Sequence, residues 1–368
     1  MFNTIVLKNN TARKGFPVYL LGTLISTLCV SLSLAYEIDG DANIYDSTAS
    51  LFGINHIGLS VQDLDATLDF YLTATNFKLV KREMVANNND ADRLFGRKGV
   101  AYERAVLEAP NMLFELTEFS HNRETPMRVM PVYGPGMTHT CFQSPAHLSG
   151  YDKFKQAGAR MLSRGDEPVD LLGQGVTYAY AYDPEGNMLE LEQLDFSVLG
   201  GDPRKPEWVD AGLDMWMTQV ALVTHDIERL TTYYSEILGF NPYRAADISN
   251  RLPFDDATDI DDVSLKVVFF RMAERTKSME FWQYVNPETP QIQGDRDSTA
   301  LGYSYSIEVG DIQAEYARMT DLGVKFVSEP VLIGDFWQVY ANDIDGNVFA
   351  LRQAVDPNSP WSLPNLEL

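Results

Sequence analysis

The sequence predicts an α+β protein made of four βαβββ modules in tandem, and three observations carry that prediction. First, the stretch from His56, HIGLSVQDLDATLDFYLTATNFKLV, matches the stretch from Gln219, QVALVTHDIERLTTYYSEILGFNPY, with the two 163 residues apart. Asp63 falls on Asp226, Tyr71 on Tyr234 and Phe77 on Phe240. Second, DPEGNMLELEQ at 183–193 matches DIDGNVFALRQ at 343–353, and Ala157-Gly158 matches Leu322-Gly323. Repeats at a nearly constant spacing, here 160 to 165 residues, mark duplicated structural units. Third, each half repeats one internal plan, a strand, a helix with apolar residues at helical spacing, then three strands.

The elements follow in order. HIGLSV reads as a strand and LDATLDFYLTAT as a helix, followed by strands FKLVKREMV, AYERAVLEA and NMLFELTEF. The second module reads THTCFQ, helix YDKFKQAG, then ARMLSRG, VTYAYAYD and NMLELEQL. Asp183-Pro184-Glu185-Gly186 has the residues of a type I turn. In the strand after it Leu189 and Leu191 share one face, and Met188, Glu190 and Glu192 the other. Four modules result, at roughly 52–121, 135–197, 214–288 and 300–355, with a linker near GGDPRKPEW at 200–208. A single such unit is too small to close its own core. We expect modules to combine as sequence neighbours, giving domains at 52–197 and 214–355.

Composition bounds the function. The 368 residues are 45% hydrophobic and 11% aromatic, enough for a substantial core. The net charge is −23. Nucleic acid is an improbable partner, because phosphate neutralisation needs clustered Lys and Arg. Residues 1–35 combine Lys8, Arg13 and Lys14 with the nearly uncharged run FPVYLLGTLISTLCVSLSLA. A basic start, an apolar middle and small residues at Ser33-Leu34-Ala35 describe a cleaved signal peptide. The expected protein is exported, periplasmic or secreted, with no stable membrane span after cleavage. A retained anchor is the alternative, since the run is nearly long enough to span a bilayer. Cys29 lies in the leader, so Cys141 is left without a partner and reads as a small buried residue. DDATDIDD at 255–262 reads as a solvated loop.

The pattern H-x-x-L-x-V-x-D before a helix, with D-P-x-G-x-x-x-E later, resembles the vicinal oxygen chelate superfamily. That family includes glyoxalase I and the extradiol dioxygenases. The resemblance implies two domains, each of two paired βαβββ modules forming a cup-shaped mixed sheet with flanking helices. It implies a divalent metal in the cup, held from the first and last strands of each module. Carried over in the first half, those positions are His56, Glu115, His139 and Glu190. Phe114 and Leu116 would face the helix while Glu115 lines the cup. Two imidazoles and two carboxylates suit nickel, zinc, manganese or iron(II). The second half carries Gln219, Glu280, Ser304 and Ala350 at the same places. Because Ser304 and Ala350 cannot complete a site, it reads as degenerate. Its aromatics Tyr303, Tyr305, Phe336, Trp337 and Tyr340 read as core, and His121, His147 and His225 fall outside the ligand positions.

A His-Glu-His-Glu set resembles glyoxalase I. That likeness implies a lyase or isomerase acting on a small chelating substrate through an ene-diolate, with Glu190 as the proton carrier and Glu115 its counterpart. One alternative is a non-haem iron(II) dioxygenase using His56, His139 and Glu190, and another is a binding protein without turnover. Glu192, replaced by Arg352 in the repeat, reads as a rim residue. The partner is a small molecule, and the chain is expected to be a monomer or homodimer.

Overall fold

The computed structural model describes residues 36–37, 40–126, 128–170, 173–273, 277–292 and 294–366. The leader therefore lies outside the described residues. Among those described, no helix is long and apolar enough to cross a membrane.

All four modules form. Module one comprises strand Leu51–Val61, helix Leu64–Ala74 and strands Lys78–Val85, Tyr102–Glu108 and Leu113–Phe119. In module two the first strand is broken at Thr140 into Gly136–His139 and Cys141–Pro145. Helix Gly150–Ala157 follows, and then strands Arg160–Met161, Val176–Tyr182 and Met188–Leu194. The first strand of module three is broken likewise at Thr218, into Trp216–Met217 and Gln219–Val223. It continues with helix Ile227–Leu238 and strands Arg244–Ile248, Ser264–Arg271 and Ser278–Asn286. Module four runs from strand Gly302–Val309 through helix Ile312–Asp321 to strands Phe336–Asn342 and Val348–Ala354. The aspartates that recur in sequence open these helices. The side chains of Asp63, Asp226 and Asp311 accept from backbone N–H groups of the first turn, the usual stabilising N-cap.

The modules do not pair as sequence neighbours. Strand Leu51–Val61 of module one lies antiparallel to Gly302–Val309 of module four, with His56 opposite Ser306. Strand Gln219–Val223 of module three lies antiparallel to Gly136–His139 of module two. Trp216–Met217 reaches past it to pair with Cys141–Pro145. The two breaks coincide: Thr140 Oγ1 donates to Gln219 O at 2.8 Å, and Thr218 N donates to Cys141 O at 3.1 Å. One cup is thus built from modules one and four and the other from modules two and three. Sequence neighbours meet through their helices and turns instead. Glu185 of module two accepts from Gln62 N and Asp63 N at the start of module one's helix. Arg229 on module three's helix pairs with Asp345 of module four.

Strand alternation sorts the side chains. Ile57, Phe114, Leu191, Val220, Phe270, Phe281 and Phe349 turn outward and join the helices in one large core. Tyr180, Ala221, Ala246, Phe269, Trp282 and Tyr284 turn inward and line the cup of modules two and three. The segment 255–262 is not simply a solvated loop. Its first part belongs to helix Leu252–Thr258, and the buried Asp255 carboxylate accepts from Asp262 N and Val263 N.

Candidate functional site

The four residues expected to share one metal split between the two cups. His139 and Glu190 meet in the cup of modules two and three, with Nε2 3.3 Å from Oε2. His56 and Glu115 meet in the other cup, at 3.7 Å. Each pair is joined by residues of its new partner module.

In the cup of modules two and three, Gln219 Nε2 lies 3.0 Å from Glu190 Oε1 and 3.4 Å from His139 Nε2. Register then brings in Glu280. Ala221 sits opposite both Glu280 on one side and His139 on the other, so the three strands present these groups in one row. Gln219, two residues before Ala221, shares its face. His139, Glu190, Gln219 and Glu280 are all buried. His139 Nδ1 lies 2.9 Å from Thr138 Oγ1. With Nδ1–H donating there, the Nε2 lone pair faces the cluster, the tautomer a metal ligand needs. Gln219 presents its amide nitrogen, and a half-turn of the amide would present oxygen.

Electrostatics sets this cluster apart. Glu190, Glu192 and Glu280 are each less than a tenth exposed. Burial, then repulsion from Glu190, raises the Glu192 carboxyl above its ordinary range, although Gln143 donates to it. Burial, then repulsion from Glu190 and Glu192, raises Glu280 as well. Three carboxylates in a dry cup repel one another unless a proton or cation separates them. An oxygen- and imidazole-rich set with surplus negative charge fits a divalent cation. Glu192 is therefore no rim residue. It lies in the cup beside Glu190, and Cys141 Sγ lies with the two carboxylates within 4.8 Å. Burial, followed by the nearby Glu192 and Glu190, pushes the Cys141 thiol well up, so it stays protonated. A protonated thiol is a poor ligand beside ready carboxylates.

The other cup rejects a cation. Arg352, the counterpart of Glu192, donates through Nη1 to Glu115 Oε1 at 2.8 Å and lies 3.0 Å from His56 Nδ1. Arg104 Nη1 donates to Glu115 Oε2 at 3.2 Å. The guanidiniums supply the positive charge that a metal would bring, and Ala350 stands where Glu190 stands in the other cup. Burial opposes ionisation of Glu115, and the charges of His56, Arg104 and Arg352 overturn it, holding the carboxyl well below the usual range. His56 is brought down to about 3, first by burial and, against Glu115, by Arg352 and Arg104. Hence His56 is neutral at physiological pH, and the arginines carry the effect on Glu115. The cavity here is lined by Tyr102, Phe119 and Tyr340 as well as His56, Arg104 and Glu115.

A model of the glyoxalase/bleomycin resistance protein/dioxygenase superfamily matches residues 53–191 and 216–351. The chain belongs to this superfamily. Glyoxalase I from Zea mays is similar in fold, with TM-score 0.55 and 20% identity, covering 82% of this chain and 92% of that one. A putative dioxygenase from Bacillus subtilis is similar at TM-score 0.53 and 12% identity, covering 87% and 91%. An ethylmalonyl-CoA/methylmalonyl-CoA epimerase from Cereibacter sphaeroides is 27% identical over 143 residues, 38% of this chain and 97% of its own length.

The superfamily fold locates the correction. Position by position, the half expected to be degenerate supplies Gln219 and Glu280 to the cluster around His139 and Glu190. The repeat places both at ligand-equivalent positions, but the strand pairing that unites them with His139 and Glu190 has no mark in the sequence.

Proposed function

We propose that the cup of modules two and three is the active site of a metal-dependent enzyme. It would act on a small oxygenated substrate that chelates the metal, in the manner of a glyoxalase I-type lyase or isomerase. His139, Glu190, Gln219 and Glu280 would hold the metal. The observation that carries this reading is their convergence in one buried row and its flanks, with an excess of carboxylate over cation. Bound there, a divalent cation supplies a Lewis acid for the substrate's oxygens. The chain's own groups would then move a proton. Glu190 would take it from a hydroxyl-bearing carbon beside a carbonyl and return it to the carbonyl carbon, while the hydroxyl proton passes to the former carbonyl oxygen, so no atom is gained or lost. Glu280, rather than Glu115, stands across the site from Glu190. The surrounding Tyr180, Trp282 and Tyr284 would exclude water during the transfer.

A ring-cleaving iron(II) site of two imidazoles and one carboxylate is disfavoured. Its His56 belongs to the other cup, and among the described residues His139 is the only imidazole in this row. A binding protein without turnover would keep the same metal set and differ only in activity. Export is also part of the proposal, supported by residues 1–35, and N-terminal sequencing of the secreted or periplasmic protein would test it.

Metal analysis decides the core of the reading. Protein purified without added metal should carry close to one divalent ion per chain. His139→Ala should weaken retention by more than about tenfold, and His56→Ala should leave it unchanged. Absence of bound metal, or equal loss in both variants, would sink the proposal.

A further inference from the structure

The cup of modules two and three has a polar atom that the metal reading leaves idle. Trp282 lies two residues beyond Glu280 on strand Ser278–Asn286, so both side chains face the cup, about 7 Å apart along the strand. Trp282 is only 8% exposed. Phe269 braces its ring edge to face, with centroids 6.4 Å apart. Its neighbours across the sheet are Val223 on one side and Val267 on the other. Beyond them stand Gly136 and Ala246. None of these four has a side-chain donor or acceptor. Among the described residues the Trp282 Nε1–H has no hydrogen-bond partner.

An indole nitrogen donates and cannot accept. The N–H of a buried tryptophan is ordinarily paired, because an unmade hydrogen bond leaves its desolvation uncompensated. Two chemically different rows therefore lie side by side in this cup. The row of His139, Ala221 and Glu280 carries the charge. The next row is apolar and holds a single donor. A buried water needs two to four polar partners, and this row supplies one. An acceptor seated against Trp282 gains that one hydrogen bond and loses water on its other sides. A neutral oxygen tolerates the exchange. A carboxylate, which needs several donors or a cation, does not.

We propose that Trp282 sets specificity: its indole N–H donates to a neutral carbonyl oxygen of the substrate, separate from the chelating oxygens at the metal. The proposal rests on the metal-site reading and narrows the substrate class. The substrate would be a small chelating compound with an apolar arm, and that arm would bear an uncharged carbonyl of an ester, amide or ketone. Such a donor discriminates against an analogue without the oxygen, because the analogue leaves the N–H buried and unmet.

The test uses the full chain loaded with zinc. Zinc affinity is titrated first in the natural protein, Trp282→Phe and Trp282→Tyr, which keep an aromatic ring and remove the indole N–H. Two sets of probes are then titrated by calorimetry. One set is the methyl ester monohydroxamates of succinic, glutaric and adipic acid. The other is straight-chain alkyl hydroxamates of equal length, which keep the chelator and lose the carbonyl. The quantity read is each ester's affinity relative to its alkyl match. For at least one chain length this ratio should fall about tenfold in Trp282→Phe while zinc affinity holds. A ratio unchanged at every length overturns the proposal. A second readout needs only the natural protein. Nuclear magnetic resonance should show one of the five tryptophan indole N–H signals moving downfield with a bound ester and not with its alkyl match. That signal should be the one missing from whichever variant folds. If none of the five moves with any bound ester, the proposal falls without need of assignment. If the natural protein binds no zinc, or binds zinc and neither probe set, the metal-site reading falls and this inference falls with it. A zinc-loaded protein that binds both sets and ignores the carbonyl refutes only the role of Trp282.

Discussion

His56 and His139 occupy equivalent strand positions and have opposite fates, decided by the charges of their neighbours. Near His139 the carboxylates of Glu190, Glu192 and Glu280 accumulate, and near His56 the guanidinium of Arg352 stands in their place. Two predictions belong at this scale. Arg352→Met removes the closer of the two guanidinium partners of the buried Glu115 and should destabilise the protein in urea unfolding, by less than the about 3–5 kcal/mol of a fully stranded buried charge because Arg104 remains. The Arg352→Met, Glu115→Gln double variant should recover part of that loss, and a double variant as unstable as the sum of the singles would refute the ion-pair account. The second prediction concerns pH. Burial, with Arg352 and Arg104 beside it, brings the His56 imidazole down from its ordinary 6.5 to about 3 in the folded chain. Between those values the unfolded chain holds a proton that the folded chain lacks, so stability falls as pH falls from 6.5 toward 3. The slope from this residue approaches about 1.4 kcal/mol per pH unit. His56→Gln should flatten the acid side of the stability profile by that much, measured by urea midpoints at pH 7, 5.5 and 4.5. An unchanged slope would mean that His56 is already charged in the folded state. The sequence showed that His56 and His139 were both possible ligands. It did not show which would face an arginine, because Arg352 lies almost 300 residues from His56 in the chain and meets it only through strand pairing.

At the scale of the element, the D-x-x-G-N turn explains itself twice. Asp183 Oδ1 accepts from Glu185 N and Asn187 N, each at 2.9 Å, and its Oδ2 accepts from Asn187 Nδ2 at 2.9 Å. Asp343 repeats the set with Asp345 N and Asn347. Each aspartate also anchors a helix tyrosine, Tyr71 or Tyr234. Gly186 and Gly346 sit at φ of 85° and 80°, a region that costs other residues strain. A methyl group on Gly346 would come within 2.6 Å of Gly294 O. The aspartate therefore fixes the turn that aims the following strand, which delivers Glu190 in one copy and Ala350 with Arg352 in the other. Asp343→Ala should cost about 2–4 kcal/mol through several unsatisfied buried donors, while metal content stays near that of the natural protein. Equal loss of metal and stability would instead place the turn's effect at the site. These turns, the helix caps and the inward and outward alternation were legible because they are local rules. Glu192 was misplaced for a related reason. Its substitution by Arg352 in the repeat looks like surface variation, but in a buried row it exchanges the sign of a whole site.

The whole molecule is a ring of four modules joined by two kinds of contact. Strands join one to four and two to three, and helices and turns join one to two and three to four. Periodicity and repeats reveal how many modules there are and what each contains. They leave open which edge meets which, because the broken first strands at Thr140 and Thr218 carry the same residue pattern whichever partner they find. The consequence is testable by dividing the chain at the linker. Residues 36–204 hold His139 and Glu190 without Gln219 and Glu280, and residues 205–366 hold the reverse. Each half carries one module of each cup and completes neither. Separately, the halves should bind zinc or nickel at least about tenfold more weakly than the full chain, and mixing them should restore the affinity as a one-to-one assembly, followed by titration and sedimentation. If the first half alone bound metal as tightly as the full chain, and lost it on His56→Ala, modules one and two would be pairing with each other. The separation of His56 from His139 would then hold only while the second half is present to claim their strands.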